Sequence, residues 1–301
     1  MKTKLFLLLV LAFIVIGTVP SFAQIVISGG MVKNYTKNHG SVTNDVITVF
    51  NGNKKNKTRI KLYQTDYLTF ANGQSKYDDP NTTPRSNASW IKVSTNEIDI
   101  DADGYVNVPF TVTIPNDKEL AGTYYSAVMV EEISEPVLPK EKKDDEKAAL
   151  TILTKTRYLI KVITTIGKTG EYKVEFSNPV LKAYYDEKES KNRYNFTVDV
   201  ESVGNRVAFS NAYIDIFNEA GGKVRRFDIK DGFYLPDCGF RIRANAIDLD
   251  PGQYTFLVVN VPAPSEGWPA TGFQVPISIN ASGTVDGSEV PAENSTAVPT
   301  E

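Results

Sequence analysis

The chain of 301 residues carries 33 basic and 36 acidic side chains, one histidine and a single cysteine. So even a balance of charge offers no nucleic-acid surface. The lone Cys238 cannot form an intrachain disulfide, and a His/Cys zinc site is excluded by count.

Lys2 and Lys4 open the chain, Leu5 to Gly17 is an unbroken apolar or small run, and Ser21-Phe22-Ala23 follows Pro20. This is the layout of a secretory signal over residues 1–23, with cleavage expected between Ala23 and Gln24. As a helix the run would cross only about 20 Å of a hydrocarbon core about 30 Å thick, so it is not expected to serve as an anchor. No later stretch is long and apolar enough to span a bilayer, and no cysteine follows the run to carry a lipid. The protein is therefore expected in the periplasm, outside the cell or at its surface, with no membrane span after cleavage. An exported chain without disulfides fits a bacterial protein. Asn-x-Ser/Thr triplets at Asn34, Asn56, Asn81, Asn87, Asn195, Asn280 and Asn294 would accept glycans in a eukaryotic route, and read as chance in a bacterial one.

Beyond the signal, apolar residues recur with period two. They do so along Asp45 to Phe50, Arg59 to Tyr63, Ile91 to Val93, Ile98 to Ile100, Tyr105 to Ile114, Tyr124 to Val130 and Leu150 to Ile166. These runs are rich in β-branched and aromatic residues and bounded by Asn, Gly, Asp and Pro, so they predict strands. No window holds an apolar stripe of helical period. Glu131 to Lys147 is charged and contains prolines, which predicts a solvated loop. A polar, Gly-bounded stretch at Ile166 to Gly170 marks a boundary between a domain over 24–166 and a second over 167–281. Strands are expected in the latter at Tyr194 to Val200, Val207 to Phe217, Lys223 to Ile229 and Tyr254 to Val259. The expected fold is all-β, two immunoglobulin-like sandwiches in tandem. Residues 282–301 are small and acidic and are expected to form a disordered tail. Gly122-Thr123-Tyr124 and Gly252-Gln253-Tyr254 both place a Tyr after a Gly turn, making Tyr124 and Tyr254 candidates for a tyrosine corner.

Chemistry is sparse. Asp99-Ile100-Asp101-Ala102-Asp103-Gly104 matches the opening of a calcium loop, but Phe110 stands where the bidentate Glu is needed. Asp103-Gly104 is read as a hairpin turn. Trp268-Pro269-Ala270-Thr271-Gly272 looks like a wall-sorting string but lacks the apolar helix and basic tail, and is read as a loop. His39 lies in a polar turn, and Cys238 is read as a turn-region thiol rather than a nucleophile. The chain is expected not to be an enzyme, and no cofactor or metal is expected.

The order of segments in the first domain resembles the N-terminal Ig-like domain of PapD-like periplasmic pilus chaperones, and the related domain of Gram-positive WxL-protein operons. The segments are Val46 to Asn51, Trp90, Ile98-Asp99-Ile100, Val108 to Val112, Ile114-Pro115, Gly122-Thr123-Tyr124-Tyr125 and the long strand Thr156 to Val162. Ser126-Ala127-Val128 stands where the WxL-type pattern has Gly-Gly-Ile. The resemblance covers roughly Ile25 to Ile166. It implies binding by β-strand addition, in which the edge strand Leu150 to Ile166 lends alternate side chains to a protein subunit of a surface or fimbria-like assembly. On that resemblance Ile152, Tyr158, Ile160, Val162 and Thr164 are the candidate contacts, and Arg157 or Lys161 the candidate anchor for a partner's terminal carboxylate. Lys33 and Lys37, in an ordinary polar segment, give no clear match for the second basic residue of such an anchor. The alternative is a structural or adhesive component of a cell-surface assembly, with the sandwiches acting as spacers.

Overall fold

The computed structural model describes residues 25–133, 156–286 and 296–297. The expected signal over 1–23, most of the expected loop from Glu131 to Lys147, Leu150 to Lys155 and most of 282–301 lie outside the described residues. The strands of the first half are β1 (Ile25–Ser28), β2 (Val32–Lys37), β3 (Val42–Asn51), β4 (Thr58–Thr69), β5 (Ser75–Asp78), β6 (Ile91–Val93), β7 (Glu97–Ile100), β8 (Tyr105–Thr113), β9 (Gly122–Ile133) and β10 (Arg157–Ile166). Those of the second half are β11 (Val174–Asp186), β12 (Lys191–Ser202), β13 (Ala208–Asn218), β14 (Lys223–Tyr234), β15 (Gly239–Ile247), β16 (Gly252–Pro262), β17 (Thr271–Ile279), β18 (Val285–Asp286) and β19 (Thr296–Ala297). The only helical elements among the described residues are two single 3-10 turns. The fold is all-β.

One sheet has the order β1-β3-β8-β6 and faces a second, β2-β10-β9-β4-β5, with β7 also on β4. Between them lies a core that includes Ile47, Val49, Leu62, Trp90, Phe110, Val128, Ile160 and Val162. The alternation in β3 and β8 follows directly, since one face meets this core and the other meets solvent. In the second half, β11-β12-β15 faces β14-β13-β16-β17-β18 across a core containing Phe176, Phe196, Ile214, Phe256 and Phe273.

One turn differs from expectation. Residues 101–104 do not close a hairpin: β7 pairs with β4, whereas β8 pairs with β3 and β6, so the chain switches sheets there. Buried Asn51 secures this switch by donating from Nδ2 to the carbonyls of Asn56, Ile100 and Asp101. Asp99 is held by Arg59 at 2.6 Å on the far side of the same turn. Two short pieces of the C-terminal segment are described. Val285 and Asp286 pair with Ile279 and Ser278, and Thr296 and Ala297 with Gly272 and Thr271, so both described pieces return to the free edge of β17. Tyr254 does form its corner, donating from its hydroxyl to Asp250 O at 3.0 Å. Tyr124 instead lays its ring on Trp90, centroids 4.8 Å apart.

The two halves meet at an elbow of main-chain contacts. Thr123 N donates to Asn205 O at 2.8 Å, and Val207 N to Thr123 Oγ1 at 3.0 Å. Gly122 N donates to Thr169 Oγ1, and Arg206 reaches the carbonyls of Gly167 and Thr169. Gly122 has φ +80°, and a Cβ there would stand 2.0 Å from Asn205 O. Beside the elbow, Tyr67, Tyr125, Ala127, Ile163, Val207, Leu235 and Cys238 form a small shared cluster. Tyr125 closes it by donating to Pro236 O at 2.7 Å.

Candidate functional site

β10 is the strand on which the binding expectation rests. It pairs antiparallel with β9 along its whole length, Arg157↔Glu131 to Ile166↔Gly122. On its other side it pairs in parallel with β2, and that ladder runs only from Lys161↔Val32 to Ile166↔Lys37. Lys161 N donates to Met31 O and, at the far end, Gly167 N donates to Lys37 O. Main-chain groups alternate sides along a strand, so odd-numbered residues of β10 address β2 and even-numbered ones address β9. Arg157 and Leu159 therefore turn their N–H and C=O groups to the β2 side, ahead of where the β2 ladder begins. The reason is local: the chain leaves the first sheet after β1, crosses at Gly29 and Gly30 (φ +83° and +88°), and joins the second sheet only at Val32. Among the described residues this leaves a gap between β1 and the start of β10. Tyr158 bridges it by donating from its hydroxyl to Ile25 O at 2.6 Å. Around the gap Val26, Met31 and Val32 are exposed.

The expected contact residues fall into different environments. Ile152 lies outside the described residues. Ile160 and Val162 are fully buried in the first core, so neither is presented to a partner in this state. Even-numbered side chains of β10 point between the sheets, which leaves the exchange to the main chain at 157–160. Thr164 is buried too, bonded to Asn87 Nδ2 at 3.0 Å. Arg157 is exposed and pairs with Glu131 at 3.0 Å. Burial, and then the bond to that same Glu131, hold the Tyr63 hydroxyl above its ordinary pKa. Lys161 sits 5.4 Å over the Tyr67 ring, on the side of the inter-sandwich cluster. The two basic candidates therefore lie on opposite ends of the open stretch.

Sequence reasoning found no role for Lys33, Tyr35 and Asp45, yet they form the tie that holds β2 in place. Lys33 Nζ lies 3.2 Å from Asp45 Oδ1, and the Tyr35 hydroxyl donates to Asp45 Oδ2 at 2.6 Å. Burial opposes ionisation of Asp45, but the bonds from Tyr35, the Val46 N–H and Lys33 outweigh it and hold its pKa below the ordinary value. Burial, then the same carboxylate, pushes Tyr35 strongly upward. The clue in the sequence was the alternation Lys33, Tyr35 on a strand otherwise polar.

No family model matches this chain, and no curated protein matches it. Solved structures do. A chain of the chaperone–tip adhesin complex of CFA/I fimbriae biogenesis is 11% identical, covering 80% of this chain and 92% of that one, with a TM-score of 0.42. The class 5 fimbriae chaperone CfaA is 12% identical over 78% of this chain and 91% of its own, TM-score 0.40. A chain of the CsuC–CsuE chaperone–tip subunit pre-assembly complex from Csu pili of Acinetobacter baumannii is 12% identical, over 84% and 98%, TM-score 0.38. Among the described residues no helix is long and apolar enough to cross a membrane.

Proposed function

We propose that this protein is a non-enzymatic, exported binding factor that holds a protein subunit of a surface or fimbria-like assembly by β-strand addition at the start of β10. One observation carries the reading: β2 covers β10 only from Lys161 onward, so among the described residues no strand pairs with the outer main-chain side of Arg157 and Leu159. An extended segment of a partner entering there would gain main-chain hydrogen bonds, with Val26, Met31 and Val32 offering apolar contact beside it. Secretion, and the division into domains over 24–166 and 167–281, belong to the same proposal.

The native protein, purified with its associates, should carry a smaller β-rich subunit in one-to-one ratio. Arg157→Pro removes an outward N–H without touching a β9 bond, whereas Arg157→Ala keeps that N–H and loses only the side chain. Both variants lose the ion pair to Glu131, so their difference isolates the main-chain edge. The Pro variant should lose the subunit while the Ala variant retains it. Equal retention by both would end the strand-addition reading.

A further inference from the structure

The rest of β10's outer edge, Lys161 to Ile166, is occupied by β2, and β2 has the properties of a removable strand. Four of its six side chains are exposed, and only Lys33 and Tyr35 are half-buried. Among the described residues it lies at the rim of its sheet and pairs with β10 alone. The pairing is parallel, slightly weaker per residue than antiparallel pairing. Gly29 and Gly30 precede it, both at positive φ, and a Cβ at either would meet nothing within 4 Å, so the link is unconfined by neighbours. Across to the first sheet, the side-chain hydrogen bonds of β2 converge on one residue, Asp45 of β3, which takes both Lys33 and Tyr35.

We infer that β2 is a self-strand held on β10 by the Asp45 latch and released about the Gly29–Gly30 hinge, so that a partner strand can extend its pairing from 157–160 onto 161–166. This regulates the site proposed above and rests on that reading for its purpose, though not for its test. β9 remains in place when β2 leaves, so release exposes the odd-numbered amides of β10 and leaves the even-numbered ones bonded. The latch also explains why a polar segment, with little apolar surface of its own to bury, holds a place in the sheet.

Residue-resolved amide hydrogen exchange on the full chain, without any partner, tests the inference. Lys161, Ile163 and Thr165 N–H groups should exchange at least about tenfold faster than those of Ile160, Val162 and Thr164. Asp45→Ala should accelerate only the first set further. Equal protection of both sets in the native chain, or a rise in both sets together in Asp45→Ala, would overturn the removable strand. A released β2 in a protein that carries no subunit would sink the function proposed above and leave the latch standing. Uniform protection in a protein that does carry one would do the reverse.

Discussion

Gly122→Ala is the sharpest test of how the two sandwiches are joined. The residue sits at φ +80°, where a side chain costs about 1–2 kcal/mol in backbone energy alone. The added Cβ would also lie 2.0 Å from Asn205 O, and that oxygen is main chain, so no rotamer can relieve the overlap. Separating the two segments breaks the bonds from Thr123 N to Asn205 O and from Val207 N to Thr123 Oγ1, about 1 kcal/mol each. The sum is about 3–4 kcal/mol, a large part of the stability of an ordinary domain. Gly73→Ala provides the control, because Gly73 has φ +85° but no atom within 4 Å of its Cβ position. Urea unfolding of both variants should show Gly122→Ala costing about 2 kcal/mol more than Gly73→Ala. The thiol of Cys238, the only cysteine and buried in the inter-sandwich cluster, reports the same event by its labelling rate. Labelling should accelerate in Gly122→Ala and stay at the native rate in Gly73→Ala. Equal unfolding costs and unchanged labelling would refute the idea that main-chain contact at Gly122 fixes the elbow.

Tyr254→Phe removes the corner bond to Asp250 O and should lower stability by about 1 kcal/mol in the same urea assay, with no change in strand content by circular dichroism. Asp215 is held below its ordinary pKa of 3.8, chiefly by the two-pronged bond from Arg226, against the opposing effect of burial. A depressed carboxylate contributes stability that is present above pH 3.8 and lost as pH falls through the folded-state value. The gap in stability between native protein and Asp215→Asn should therefore close as pH drops below 3.8, and a gap that widened would contradict the assignment.

Much of the fold was legible because most strands have one face toward a core and one toward solvent. β3 and β8 show this as plain alternation. β15 was missed for a physical reason: its buried side chains are Ile242 and the small Ala244, and then the parity slips to Ile247 after Ala246 at φ +55°. The opposing pairing slips at the same place, between Tyr194 and Phe196. The sheet switch at 101–104 was read as a hairpin because a turn composition says that the chain reverses, not which neighbour it pairs with next. Ile160 and Val162 misled differently. Apolar residues fall on both faces of β10, since Ile160 meets the first core while Ile163 meets the inter-sandwich cluster, so no single alternating face stood out for a partner. The Lys33–Tyr35–Asp45 tie joins residues up to twelve apart on strands of opposite sheets, a contact that only the crossing at Gly29–Gly30 creates.

That double burial of β10 links the elbow to the proposed binding edge. Leu159, whose main chain lies on that proposed edge, also packs its side chain against the cluster of Tyr67, Tyr125 and Leu235. A strand held on both faces loses little further freedom when a partner pairs along its edge, so the ordering cost of association falls mainly on the incoming segment. On this argument the second sandwich supports the proposed site without touching the proposed partner. It supplies Leu235 and Cys238 to the cluster that stiffens β10, and Gly122 lets it approach closely enough to do so. A loosened elbow should then weaken subunit binding even though residues 157–160 are untouched. In Gly122→Ala the loss of complex should track the rise in Cys238 labelling. Full binding by a variant whose thiol labels freely would show that the edge acts without support from the second sandwich.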